Sequence, residues 1–131
     1  ALKVAQVNAD KLGIGNVHFC HGSWTEPLEG VFNLIASNPP YVDADDPHLE
    51  QGDLRYEPRV ALTPGKDGLD AIREIARASK PMLNSGGWLM LEHGWEQGPA
   101  CRQILQDGGF INVTTFKDLQ DHERVTTCQK A

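Results

Sequence analysis

The residues best suited to chemistry in this chain stand together as Asn38-Pro39-Pro40-Tyr41. They follow an apolar run, Phe32-Asn33-Leu34-Ile35-Ala36-Ser37, that reads as a buried strand. Two successive prolines fix two φ angles and remove two backbone donors. They also push Asn38 away from helical geometry. The chain therefore leaves the strand in a stiff, extended turn whose carbonyls stay free to accept hydrogen bonds. An amide side chain and an aromatic face flank those carbonyls. Such a set suits a planar group bearing N–H₂, offering acceptors for its hydrogens and a ring to pack on its face.

Other reactive residue types are less concentrated. Glu92 and His93 are adjacent like an acid–base pair, but successive residues on a strand point to opposite faces, so a structural role at a strand end is expected. Glu123-Arg124 reads as the salt-bridged end of a hairpin. The three cysteines, Cys20, Cys101 and Cys128, are far apart and form no C-x-x-C pair, which suggests reduced core thiols in a cytoplasmic protein. The five histidines are scattered without ligand spacing, so no metal site is expected.

These residues must be positioned by an alternation of helices and strands. Residues 1–12 read as a helix with Leu2, Ala5, Ala9 and Leu12 on one face and Gly13 as the stop. Residues 17–20 read as a short strand, followed by a Gly22-Ser23-Trp24 turn and then the strand 32–37. A long polar segment spans 42–66, of a length that is usually functional or disordered. Residues 68–83 form a predicted helix with Leu69, Ile72, Ile75 and Ala76 inward, ended or bent in its last turn by Pro81. After a Ser85-Gly86-Gly87 turn come a strand over 88–92 and a helix over 97–107 stopped by Gly108-Gly109. Residues 111–116 and 124–129 alternate like paired antiparallel strands. This is an α/β pattern with a mostly parallel sheet closed by a hairpin. Ligands in such sheets bind past the carboxyl ends of strands, where Gly22, Asn38 and His93 are expected to share one rim.

At 131 residues the chain is long enough for one domain with one core. It has no apolar run for a membrane span and no signal-peptide pattern. The net charge of -6 disfavours a broad phosphate-binding face.

With those elements in place, the residues resemble the catalytic domain of class I S-adenosylmethionine-dependent methyltransferases. More narrowly, they resemble the protein-(glutamine-N5) methyltransferases of peptide-chain release factors, the HemK family. Asn38-Pro39-Pro40-Tyr41 alone is shared with adenine amino methyltransferases of DNA. The narrower match rests on Pro47-His48-Leu49-Glu50-Gln51-Gly52-Asp53-Leu54-Arg55-Tyr56-Glu57-Pro58, Gly65-Lys66-Asp67-Gly68-Leu69, Leu91-Glu92-His93-Gly94-Trp95 and Glu123-Arg124-Val125. Together they cover essentially the whole chain.

The resemblance implies a Rossmann-like three-layer fold and S-adenosyl-L-methionine as cofactor. It implies a release factor as protein substrate, with neither membrane nor direct nucleic acid binding. It makes Asn38, Pro39, Pro40 and Tyr41 the catalytic and substrate-binding set. Asn38, Ser23 and Trp24 would touch the cofactor, with Trp24 against the adenine, and Glu57-Pro58 would help wall the substrate entrance. Two departures accompany it. The Gly-rich loop and the acidic residue that hold the cofactor in class I methyltransferases are not found, so residues 1–131 read as the C-terminal portion of a catalytic domain whose first strands are missing. Many relatives carry Asp where Ser23 stands, so the adenine contact there lacks a charge. Two alternatives remain: an adenine-N6 methyltransferase of DNA or RNA, and an inert fragment unable to bind cofactor on its own.

Overall fold

The computed structural model describes residues 1–41 and 68–131. The expected polar segment 42–66, with the stretch 47–58 and residues 65–67, lies outside the described residues. The described chain divides into two units, Ala1–Gly30 and Val31–Ala131.

In the first unit the periodic residues form α1 (Leu2–Lys11), which stops ahead of Gly13 as expected. Its predicted inward face is only partly covered. Ala9 is buried and Ala5 half-buried, whereas Leu2 and Leu12 are exposed. The expected strand at 17–20 does not form, because nothing described there supplies the ladder hydrogen bonds that define a strand.

The second unit is built on β1 (Phe32–Ser37), α2 (Asp70–Met82), β2 (Leu83–Glu92), α3 (Gly98–Asp107), β3 (Phe110–Lys117) and β4 (Glu123–Lys130). Apolar residues at helical spacing bury Ile72, Ile75 and Ala76 on α2, while Leu69 is half-buried against the core. Pro81 falls in the last turn, and by Leu83 the backbone is already extended. The predicted turn at 85–87 is an irregularity inside a longer strand: Phe32 pairs with Leu83 and Leu34 with Trp88, so β2 carries the extra residues between these pairs.

The sheet order is β1-β2-β4-β3. β1 and β2 are parallel, and β4 is antiparallel to both β2 and β3. The expected terminal hairpin is therefore present, and the parallel part among the described residues is the β1–β2 pair. Leu89 and Leu91 alternate onto one face of β2 and meet Ile72, Ile75, Cys101, Leu105 and Cys128 in a shared core. Burial pushes the Cys101 thiol up to about 11 and the Cys128 thiol up to about 12, so both behave as apolar core groups.

Candidate functional site

Because β1 and β2 are parallel, their carboxyl ends lie on the same edge of the sheet. Ser37 pairs with Leu91, so Asn38 and Glu92 follow one residue later on neighbouring strands. The alternation that sends Leu91 into the core sends Met90 and Glu92 to the other face. There they line a cavity of about 350 Å³ with Ala36, Ser37, Asn38 and Val125. Ala36, Met90 and Val125 give it an apolar lining; Ser37, Asn38 and Glu92 add polar groups.

The four predicted residues divide by exposure. Asn38 is exposed, Pro39 is buried, and Pro40 and Tyr41 are half-buried. The turn is thus anchored by a proline ring while its amide faces outward. The Tyr41 hydroxyl donates to Glu92 Oε1 at 3.3 Å. Burial, aided by the Glu92 charge, raises the Tyr41 phenol above its ordinary range despite an opposing effect of Arg124. The hydroxyl therefore remains a donor.

A second contact holds the same residue from its backbone. Gln97 Nε2 donates to the Tyr41 carbonyl at 3.1 Å and to the Gly68 carbonyl at 3.3 Å. Gln97 Oε1 accepts from the Gly94 N–H at 2.9 Å. Gly68 has φ +67°, and a Cβ there would lie 2.6 Å from Gln97 Nε2, so the position favours glycine on both counts.

His93, one residue past β2, turns the other way and is fully buried. Its Nδ1 lies 2.9 Å from the Gly94 carbonyl, which can only accept, so Nδ1 carries the proton. Nε2 then accepts from Thr126 Oγ1 at 2.8 Å. Thr126 in turn accepts from Thr115 Oγ1 at 2.8 Å, and Thr115 accepts from Arg102 at 2.9 Å. One donor direction satisfies the whole series. Burial holds the His93 imidazole below its ordinary range, in keeping with the neutral form.

Arg102 Nη1 also meets both Glu123 oxygens, at 2.9 and 3.0 Å, and Arg124 pairs with Asp118 at 3.3 Å. A Cβ at Gly98 would collide with the Glu123 carboxylate, so glycine at the start of α3 admits that ion pair. Glu123-Arg124 is the salt-bridged hairpin end that the sequence led one to expect. Glu92 and His93 are not a dyad: one faces the cavity and Tyr41, the other the buried relay.

Ser23 and Trp24 belong to the first unit. They lie in a turn in which the Glu26 N–H donates to the Ser23 carbonyl at 3.0 Å. Trp24 is exposed and has φ +47°, an uncommon backbone conformation for a bulky residue. It is not the core tryptophan that an indole ordinarily becomes. Gly22 follows no strand, so the expected rim is formed among the described residues of the second unit by Asn38 and His93. The structure thus assembles Asn38–Tyr41 with Glu92 and Gln97 and describes Ser23 and Trp24 separately. Sequence reasoning passed over Gln97. The available signal was an amide at the entry to a helix, three residues after Gly94, a position suited to capping contacts.

No family model matches the chain. Among curated proteins it is 50% identical over 131 residues to a release factor glutamine methyltransferase of Yersinia pestis, covering 100% of the chain and 48% of the relative. It is 51% identical over 127 residues to that of Xylella fastidiosa (strain Temecula1), and 47% identical over 127 residues to that of Escherichia coli K12; each match covers 96% of the chain and 46% of the relative. The chain spans about half the length of the curated relatives it matches. In structure it is similar to a methyltransferase from Pyrococcus furiosus, with TM-score 0.72 and 19% identity over 99% of this chain and 57% of the other. It is also similar to TrmN from Thermus thermophilus, with TM-score 0.61 and 17% identity over 99% of this chain and 33% of the other. These likenesses establish the Rossmann-like methyltransferase fold. By sequence, then, essentially the whole chain is similar to a stretch about half the length of curated release factor glutamine methyltransferases.

Proposed function

We propose that the protein carrying this chain transfers a methyl group from S-adenosylmethionine to the side-chain amide nitrogen (N5) of the glutamine in the Gly-Gly-Gln motif of peptide-chain release factors. One observation carries the reading: the exposed Asn38 amide stands on a braced proline turn beside a cavity with apolar walls.

A glutamine nitrogen is a poor nucleophile because its lone pair is delocalised into the carbonyl. Its geometry must be imposed, and positioning supplies much of the acceleration. Asn38 Oδ1 accepts one amide hydrogen and the Pro39 carbonyl accepts the other. Two acceptors on one N–H₂ direct the lone pair along the line of attack and favour positive charge as it develops on nitrogen. Tyr41 packs on the flat amide. With the methyl donor bound, the nitrogen lone pair directed by Asn38 and Pro39 would form the new N–C bond as the methyl–sulfur bond broke, the sulfur leaving with the bonding pair, and the product nitrogen would lose its proton to water. No general base is needed beforehand.

S-adenosylmethionine supplies a methyl made electrophilic by a sulfonium. Ala36, Met90 and Val125 give the cavity apolar walls suited to a methyl group. Within the first unit taken by itself, the exposed Trp24 indole and the Ser23 hydroxyl are groups of the kind that stack on adenine and accept from its amino group. Among the described residues no helix is long and apolar enough to cross a membrane. An enzyme acting on release factors would work in the cytoplasm. The net charge of -6 disfavours the adenine-methylating alternative.

The test supplies labelled S-adenosylmethionine to the full-length protein together with release factor and duplex DNA. Label on the release factor, lost when its Gly-Gly-Gln glutamine is replaced, is the expected result. Label on DNA would place the same turn over the wrong N–H₂ and overturn the substrate. Saturable binding of S-adenosylmethionine by residues 1–131 alone would rule out the inert-fragment alternative.

A further inference from the structure

Resting on that amide-methylating reading, the geometry points to Gln97 as a positioning residue that sets the acceptor turn from behind. A proline fixes φ but leaves ψ to its surroundings. Pro40 restricts the ψ of Pro39 before it, so the directions of the Pro40 and Tyr41 carbonyls are the ones left to whatever holds Tyr41. Its hydroxyl is held by Glu92 and its carbonyl by Gln97 Nε2. The second Nε2 hydrogen goes to the Gly68 carbonyl and Oε1 takes the Gly94 N–H.

One planar amide thus ties together the turn after β1, the entry to α2 and the exit from β2. Its own backbone is fixed, with the Gln97 N–H donating to Gly94 O at 2.9 Å and the Gln97 carbonyl accepting from Cys101 N–H at 2.8 Å. The task requires an acceptor and two donors on one group. Glutamate has the shape but not the donors, and would turn a carboxylate oxygen on two carbonyls. Methionine has nearly the volume and neither function. The glycine at 68 leaves room for this amide at a place where a Cβ would also meet the Tyr41 carbonyl at 2.9 Å. Gln97 acts on the substrate through Tyr41 and the turn.

The experiment compares wild type, Gln97→Glu and Gln97→Met in the full-length protein. It reads methyl transfer to release factor, S-adenosylmethionine affinity by calorimetry, and the ¹³C resonance of the Tyr41 carbonyl. In both variants kcat should fall by roughly 10- to 100-fold. Donor Kd should stay within about twofold, because the lost interaction orients the acceptor. The Tyr41 carbonyl resonance should move in both. An unmoved resonance with kcat within about twofold of wild type overturns the assignment. Loss of donor binding together with cooperative melting in both variants also overturns it, making Gln97 a folding residue. A wild-type protein that labels no release factor would refute the function, while the Tyr41 resonance still tests the clamp.

Discussion

After β1 the chain leaves Asn38 exposed on a turn braced by prolines, Glu92 and Gln97; after β2, on the same sheet edge, it buries His93 and pairs both ring nitrogens. The first strand end keeps an amide unspent and fixes its surroundings. The second spends its polar groups on Thr126, Thr115, Arg102 and Glu123, and so ties the hairpin to α3. An exposed polar group loses little by waiting for a ligand because water serves it meanwhile. A buried one must be satisfied within the protein, since leaving it unpaired costs on the order of 1–3 kcal/mol. The two ends therefore divide recognition from stability.

Substitutions can break this division. The largest effect is expected for Asn38→Ala, which removes an acceptor used in the transition state. Methyl transfer by the full-length protein should fall by about 10²–10³. Melting temperature should change little, because Asn38 is exposed, and the loss of turnover should far exceed any loss of donor affinity. Calorimetry beside steady-state kinetics checks this, and unchanged turnover would remove Asn38 from its role.

On the other side, Arg102→Leu should cost about 1–2 kcal/mol of stability after allowing for solvent screening. Its ion pair with Glu123 is 32% and 30% exposed, and the variant also strips the Thr115 hydroxyl of its donor. Denaturant unfolding measures the loss, and kcat of the folded fraction should be unchanged. A fall in kcat at constant stability would mean that the buried relay serves the chemistry.

Tyr41 sits between the two ends and sharpens the contrast. Tyr41→Phe and Glu92→Ala each remove one half-buried hydrogen bond and should lower kcat by about 3- to 10-fold. Glu92→Gln keeps an acceptor for the hydroxyl and should retain most activity. Equal losses in all three would point to a charge requirement at Glu92.

The smallest expected effect is on pH dependence. Burial lowers the folded-state pKa of His93 below its ordinary 6.5. The unfolded chain then binds the extra proton first as pH falls, so stability is intact above about 6.5 and declines below it. In His93→Asn the decline of melting temperature on acidification should be shallower than in wild type. Parallel curves would show that the imidazole contributes nothing to the pH dependence.

The fold was legible where short-range patterns suffice. Helical spacing marked α2 and α3, alternation marked β3 and β4, and the boundaries moved by a few residues. The Gly-Gly turn before Trp88 was legible as an interruption, though its outcome was a bulge within β2. At α1 the spacing identified a face but not its covering, and Leu2 and Leu12 are exposed. At 17–20 a strand-like composition had no ladder partner among the described residues. Of the site, the acceptor turn was visible because prolines and Asn announce their geometry locally.

The sequence by itself determined the stiffness of the Asn38–Tyr41 turn, the faces of α2 and α3, and a similarity to part of the release factor glutamine methyltransferases that runs along the whole chain. Proline stereochemistry and side-chain periodicity act within a few residues and need no tertiary contact. Only the tertiary structure decided that Glu92 serves Tyr41 while His93 turns inward, and that Gln97 holds the turn's last carbonyl. The Tyr41 partners lie 51 and 56 residues away, and a hydrogen bond across such a separation exists only once the sheet has brought its strand ends together.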